Sequence, residues 1–315
     1  MITAYILDNK IFKTTELSTQ DQVPENTLWL DICKPDEDER QWLSSYFEEE
    51  VPEEDDLKEL EASARFYSDQ DGLHINSLFP QRIGHELKAI NISFTLRQDL
   101  MLTIREEDLG LIRLMRNYLR IGRVHASDPF TLFLELFALK IEYISDIIED
   151  VYTVLEEVSR HAHDMETLDQ TFKQITHQED ANGKIRLSLL DTQRSLRYIT
   201  RYHRPQLSDD NLKELKEILA DIDSLMPHGQ FIFDKLKFLL ETAMGFSGLQ
   251  QNKIIKIFSV AAVVFLPPTL IASSYGMNFK SIPELSWQYG YPIALGLMFA
   301  SAVGTYLFFR RKGWL

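Results

Sequence analysis

The sequence predicts an α+β membrane protein, with an α/β domain over residues 1–125, a helical hairpin and stalk over 126–256, and two transmembrane helices over 257–315. Three observations predict it. The first third alternates strand-length apolar runs with acidic segments. The middle third holds long stretches without Pro or Gly. Finally, no charge occurs from Ile257 to Phe279 or from Leu285 to Phe309. Each of those runs reaches the ~20 residues that an α-helix needs to cross a ~30 Å hydrocarbon core.

In the first third, Ile2–Leu7 and Thr27–Ile32 have strand length. Ala64–Phe79 reads as a hairpin turning at Asp71-Gly72. Ile90, Ile92, Phe94 and Leu96 alternate with Asn91, Ser93 and Thr95, the period-2 pattern of a half-buried strand, and Leu100, Leu102 and Ile104 continue it after a turn at Gln98-Asp99. Asp36–Glu39, Glu48–Glu50 and Glu53–Asp56 are acidic helical segments. Their acids are either a solvated helix face or part of a divalent-cation sensor.

From Pro129 the pattern becomes helical. Leu132, Leu134, Leu136, Leu139, Ile141, Ile144, Ile148, Val151 and Leu155 recur near three- and four-residue steps in a stretch, Phe130 to Gln178, that lacks Pro and Gly. The polar run Glu179–Gly183 is expected to turn the chain, and Ile185, Leu190, Leu196 and Ile199 to carry the return helix towards Pro205. His161 and His163 fall on different faces and read as surface residues rather than metal ligands. A helix over Asp209–Met226 is expected to end before Pro227, which is tolerable in a first helical turn. A new helix starting there is expected to run through Leu236, Leu239 and Met244 into the first span.

The spans are expected at about 257–274 and 290–309. Lys253 and Lys256 precede the first, and Arg310-Arg311-Lys312 follows the second. The positive-inside rule puts both ends in the cytoplasm and the loop Ser274–Tyr289 outside, with Trp287, Tyr289 and Tyr291 in an outer aromatic belt. The N-terminus lacks the basic and apolar regions of a signal peptide.

Composition narrows the function. The chain has 315 residues and a formal charge of −15, from 48 acids and 33 bases, which excludes a nucleic-acid footprint and favours cations as partners. The single cysteine, Cys33, excludes an intrachain disulfide. No G-x-x-x-x-G-K-[ST] loop and no nucleophile–base set is present, so no catalysis and no cofactor are expected.

Two helices cannot enclose a pore, so an ion path requires an oligomer with one helix per subunit around the axis. The first span is the better lining candidate. Asn252, Ile255, Ser259, Ala262, Leu266, Thr269 and Ser273 form a seam that mixes small polar and apolar side chains, as a wetted path with dry constrictions would. An ordinary helix-packing seam is the other reading. Gly296, Ala300 and Gly304 in the second span admit a close neighbouring helix. Pro267-Pro268 removes two backbone donors and is expected to loosen the first span locally.

Just past the seam lies Ser273-Ser274-Tyr275-Gly276-Met277-Asn278-Phe279. Copies of Asn278 around an axis form a ring of neutral amide oxygens, and Gly276 lets nearby carbonyls turn inward. Mg²⁺ gives up its water shell reluctantly. Amide and carbonyl oxygens accept hydrogen bonds from the ion's waters, a grip weak enough for conduction.

Tyr275-Gly276-Met277-Asn278-Phe279, with Pro283-Glu284-Leu285, Trp287, Tyr289-Gly290-Tyr291-Pro292, Lys312-Gly313-Trp314-Leu315 and Phe265-Leu266-Pro267-Pro268-Thr269, resembles the CorA family of magnesium transporters. Asp36-Glu37-Asp38-Glu39-Arg40 and Glu61-Ala62-Ser63-Ala64-Arg65-Phe66 resemble its enterobacterial-type members, so the likeness covers essentially the whole chain. It implies a homopentameric funnel in the bacterial inner membrane, with a stalk helix continuous with the first span. It also implies Mg²⁺ uptake with Co²⁺ and Ni²⁺ also carried, and closure by Mg²⁺ bound between cytoplasmic domains. Gly276, Met277 and Asn278 would be the entrance signature and Glu284 an outer-loop site. Asn252 and Thr269 match polar pore positions, and Ile255, Phe258 and Leu266 apolar constrictions. Glu217, Asp221, Asp223 and Asp234 are candidates for the regulatory metal. A Zn²⁺ transporter of the same superfamily and a non-conducting membrane-anchored scaffold are the alternatives; a scaffold has no need of the polar stripe.

Overall fold

The computed structural model describes residues 1–8, 11–47, 65–70, 72–84, 86–162, 167–203, 207–278 and 282–313. The acidic runs Glu48–Glu50 and Glu53–Asp56, and His163, lie outside the described residues. The chain forms two compact units, one from Met1–Ala162 with Thr167–Leu240, the other containing Glu241–Leu315.

The first unit is built on a seven-stranded sheet. Its strands are β1 (Ile2–Asp8), β2 (Ile11–Leu17), β3 (Thr27–Cys33), β4 (Phe66–Ser68), β5 (Leu73–Ile83), β6 (Glu86–Leu96) and β7 (Met101–Arg105), in the order β2-β1-β3-β7-β6-β5-β4. Only β3 and β7 pair in parallel. β2 escapes a reading of apolar runs because Phe12 is its one buried residue, as suits an edge strand. β4 and β5 pair with Ser68 opposite Leu73, as the expected hairpin requires, while Asp71 lies outside the described residues; Gly72 takes φ +151, with its would-be Cβ only 2.4 Å from the Leu96 carbonyl oxygen. β6 alternates from Ala89 to Ile92 but is buried on both faces from there to Leu96, because helices cover both sides of the sheet centre.

One sheet face, with Ile2, Ala4, Leu30, Ile32 and Ile104, packs on Leu43 and Phe47 of α1 (Glu37–Phe47). The other face packs on α2 (Gly110–Ile121), α3 (Pro129–His161) and α4 (Leu168–Tyr202). Phe79 and Phe94 meet Phe133 and Phe137 of α3 edge-on at centroid distances of 5.4–5.7 Å, each pair contributing about 0.5–1.5 kcal/mol beyond area burial. α3 starts where Asp128 caps it, accepting from the Thr131 amide at 2.9 Å, with Pro129 in the first turn.

Two sequence expectations are corrected here. Glu179–Gly183 does not turn the chain: α4 runs through it, and the hairpin closes between His161 and Leu168 instead. Ala181 and Asn182 are buried and Lys184 pairs with Asp180 one turn away, and this packing outweighs the roughly 1 kcal/mol helix penalty of Gly183. Pro227 likewise ends nothing. α5 is a single helix from Asp209 to Tyr275. Leu215, Ile218 and Ile222 before the proline, and Ile232, Leu236 and Leu239 after it, are buried on one face, which holds the helix through the missing hydrogen bond.

The second unit contains the end of α5, a 3-10 turn Pro283–Ser286 and α6 (Gly290–Arg311). Both helices are long and apolar enough to cross a membrane.

Candidate functional site

Between Asn252 and Tyr275, α5 has one half-buried side. It is made by Val260, Val264, Pro267, Pro268, Ile271 and Tyr275, with Val260 buried. At 100° per residue the seam Asn252, Ile255, Ser259, Ala262, Leu266, Thr269 and Ser273 is centred about 160° from that side, so it faces away from whatever its own chain covers. Every residue of the seam is exposed. Phe258, also exposed, sits at its edge, about 70° from the centre.

The polar groups of this stretch offer acceptors. The Thr269 hydroxyl donates to the Phe265 carbonyl at 2.7 Å, so its oxygen keeps lone pairs and spends its proton on the backbone. Pro267 and Pro268 lack N–H groups, which removes the i+4 donors of the Val263 and Val264 carbonyls without ending the helix. At the end of α5 the Gly276 amide donates to the Ala272 carbonyl at 2.9 Å, and a Cβ on Gly276 would stand only 3.2 Å from that oxygen. Glycine therefore fits the close turn. Gly276, Met277 and Asn278 are exposed, and the Asn278 side chain has no hydrogen-bond partner among the described residues. Glu284 lies in the 3-10 turn, its side chain outside the described set.

α6 shows the same division. Its half-buried side is Ala294, Met298, Ser301, Ala302, Thr305 and Phe309, while Gly296, Ala300 and Gly304 lie on the opposite side. Nothing stands within 4 Å of a Cβ placed on Gly296 or Gly304. The close approach that this small-residue stripe permits is therefore not made within the chain.

The four candidate regulatory carboxylates do not converge. Glu217 and Asp221 share one flank of α5, and Asp223 and Asp234 another about 130° away. Asp223 is held by α4, accepting from Gln193 Nε2 at 2.6 Å with Arg197 at 3.7 Å. Asp234 accepts from Gln230, and Glu217 lies 3.7 Å from Lys213. Among the described residues no group of three or more His, Cys, Asp or Glu side chains is placed to hold a metal.

Sequence reading missed one pair of carboxylates. Burial raises the pKa of Glu214 on α5 to about 7, reinforced by the charges of Glu135, Glu217 and Asp128, and burial also raises Glu135 on α3. Nothing in the sequence links two residues so far apart; only helix packing does.

Residues 24–311 match the family model described as CorA-like Mg²⁺ transporter protein. Two curated relatives, each named magnesium transport protein CorA, from Haemophilus ducreyi and Escherichia coli K12, are 41% identical over 320 residues, and the alignments cover all of this chain and all of each relative. The complete structure of the CorA magnesium transporter from Methanocaldococcus jannaschii superposes with a TM-score of 0.74 at 18% identity, over 100% of this chain and 99% of that one. The cytoplasmic domain of ZntB from Vibrio parahaemolyticus shares the fold over 77% of this chain and 96% of its own, at 14% identity and a TM-score of 0.61.

Proposed function

The chain belongs to the CorA family of Mg²⁺ transporters, membrane proteins rather than enzymes, and on that footing we propose that it is an oligomeric Mg²⁺ uptake channel lined by the seam of α5. The observation that carries the reading is the placement of the seam. It lies opposite the half-buried side of α5 and leads to Gly276-Met277-Asn278, so copies of α5 around an axis turn it inward. Five copies follow from the family likeness.

At the mouth, the ring of Asn278 amides and the carbonyls near Gly276 grip hydrated Mg²⁺ through its waters. Co²⁺ and Ni²⁺ share its charge and octahedral hydration and are carried as well. Asn252, Ser259, Thr269 and Ser273 wet the path, while Ile255, Leu266 and the flanking Phe258 narrow it. Entry is passive: a dication falling through ~100 mV, negative inside, gains about 4.6 kcal/mol. Both termini lie in the cytoplasm of a bacterial inner membrane. Cytoplasmic Mg²⁺ closes the channel by binding carboxylates between subunits.

The test is flux through purified full-length protein in liposomes, with Mg²⁺ against Co²⁺, Ni²⁺ and Zn²⁺. Asn278→Ala is expected to abolish Mg²⁺ entry at unchanged protein level. Full flux in that variant overturns the entrance ring, and Zn²⁺ flux without Mg²⁺ flux overturns the Mg²⁺ reading.

A further inference from the structure

In a chain of net charge −15, α2 stands out, with four arginines and no acid from Gly110 to Arg123. Arg113, Arg116 and Arg120 fall at i, i+3 and i+7 on one stripe, and Arg123 follows the αL cap at Gly122. Arg113 is committed to Asp108 at 2.6 Å. The others have no carboxylate partner among the described residues. Arg120 donates to the Asn117 side chain at 3.0 Å, and Arg123 donates to the Tyr118 hydroxyl at 3.0 Å with its guanidinium 4.4 Å from that ring. Both are held in place with their charge unspent. Leu114 and Ile121, the latter 67% exposed, lie about 115° round the helix from the stripe, beyond Asn117. Arginine and exposed aliphatic surface on one helix are the composition of a protein–protein contact.

The same unit carries the complementary feature. Asp210, Glu214, Glu217 and Asp221 recur at i, i+4, i+7 and i+11 along α5, with Glu135 of α3 close enough to Glu214 to raise its pKa. Glu217 makes a long, exposed contact with Lys213, and Glu135 feels the charge of His125; no other cation is paired with these carboxylates among the described residues. Two stripes of opposite sign and matching helical spacing, both unpaired within their own chain, point to a partner that is this chain again.

We propose that Arg116, Arg120 and Arg123 of one subunit dock on the acidic ridge Glu135–Glu214–Glu217–Asp221 of the next. The two patches are different surfaces, so the contact is head-to-tail and builds a ring when the rotation closes. It also relieves two repulsions, among the carboxylates of the ridge and among the arginines of α2. The proposal rests on the oligomeric channel reading and names the surfaces that reading leaves unassigned.

The experiment uses the full-length protein in lipid nanodiscs, carrying R120C with E217C. Oxidation is expected to give a reducible ladder of covalent dimers and larger species that neither single variant gives. The charge reversal R120E/R123E is expected to lose oligomer at low salt, and adding E214R/E217R to restore it. An oligomer intact by light scattering, with Mg²⁺ flux but no ladder, overturns the pairing alone, as does an unchanged R120E/R123E protein. A parent protein that is monomeric and passes no Mg²⁺ overturns the channel reading, and the pairing with it.

Discussion

The side-chain amide of Asn182 donates a 3.0 Å hydrogen bond to the main-chain carbonyl of Gly229, tying α4 to α5 two residues after Pro227. The contact needs a glycine. A Cβ on residue 229 would lie 2.8 Å from Arg186 Cγ and 3.6 Å from Asn182 Oδ1. Gly183, one residue from Asn182, has nothing within 4 Å of its would-be Cβ. Alanine at these two positions is therefore expected to act in opposite directions. Gly183→Ala raises stability by about 0.5–1 kcal/mol through helix propensity, and Gly229→Ala lowers it by about 1–3 kcal/mol through overpacking. Thermal melts of the two full-length variants check this, and equal shifts would refute the close approach.

The same two glycines show where the sequence is legible. The strand of Ile90–Leu96, the start of α3 at Asp128-Pro129 and both spans follow from local rules: side-chain period, capping and charge-free length. Gly183 and Pro227 also carry strong local signals, for a turn and a helix start, and both are overridden by burial that no local window contains. At the candidate site the seam of α5 was readable because helix period alone defines it. The Glu135–Glu214 pair was not, since two helices have to pack before the carboxylates meet.

Lys140 is wholly buried. Its Nζ donates to the Ser77 hydroxyl at 3.0 Å and lies 4.3 Å from the Phe79 ring centroid, while Ser77 in turn donates to Asp191 at 2.8 Å. Burial depresses its pKa to about 7, against the pull of Asp191 and with that of Arg65. Between about pH 7 and 10 the unfolded chain holds a proton here that the folded one lacks, so stability rises with pH across that window, by up to about 1.4 kcal/mol per unit. Below about pH 7 both states are charged and the slope vanishes. Lys140→Met is expected to flatten the rise in urea midpoints between pH 7 and 10. Asp191→Asn, which leaves Arg65 and Lys140 without their carboxylate, is expected to cost about 3–5 kcal/mol. A Lys140→Met protein with the parent's pH slope would show that the buried amine is not its source.

Glu214 has the opposite sign. Its folded-state pKa is raised, chiefly by burial and then by the neighbouring carboxylates, so its stabilising contribution is complete below about pH 4.5 and is lost as pH rises through about 7. Glu214→Gln is expected to melt higher than the parent at pH 8 and close to it at pH 5. Equal shifts at pH 5 and pH 8 would detach the effect from the ionisation of Glu214.

Leu266 and Val264 differ little in chemistry, and their positions on α5 separate the two ways of reading the span. Leu266 is 64% exposed and lies on the seam between Ala262 and Thr269; Val264 lies on the half-buried side. If the seam lines a path, Leu266 is a dry constriction that expels water when the channel is shut, and a hydroxyl there wets it. Leu266→Ser is then expected to leak Mg²⁺ in liposomes loaded with millimolar internal Mg²⁺, where the proposed regulation would hold the parent closed. Val264→Ser places the same hydroxyl where it can bond back to its own helix, and is expected to conduct as the parent does. The comparison holds fold and membrane insertion nearly constant while moving one hydroxyl around the helix. Leak through Val264→Ser with none through Leu266→Ser would put the path on the other side of α5. Leak through neither, with flux in the parent intact, would move the constriction off Leu266 to Ile255 or Phe258.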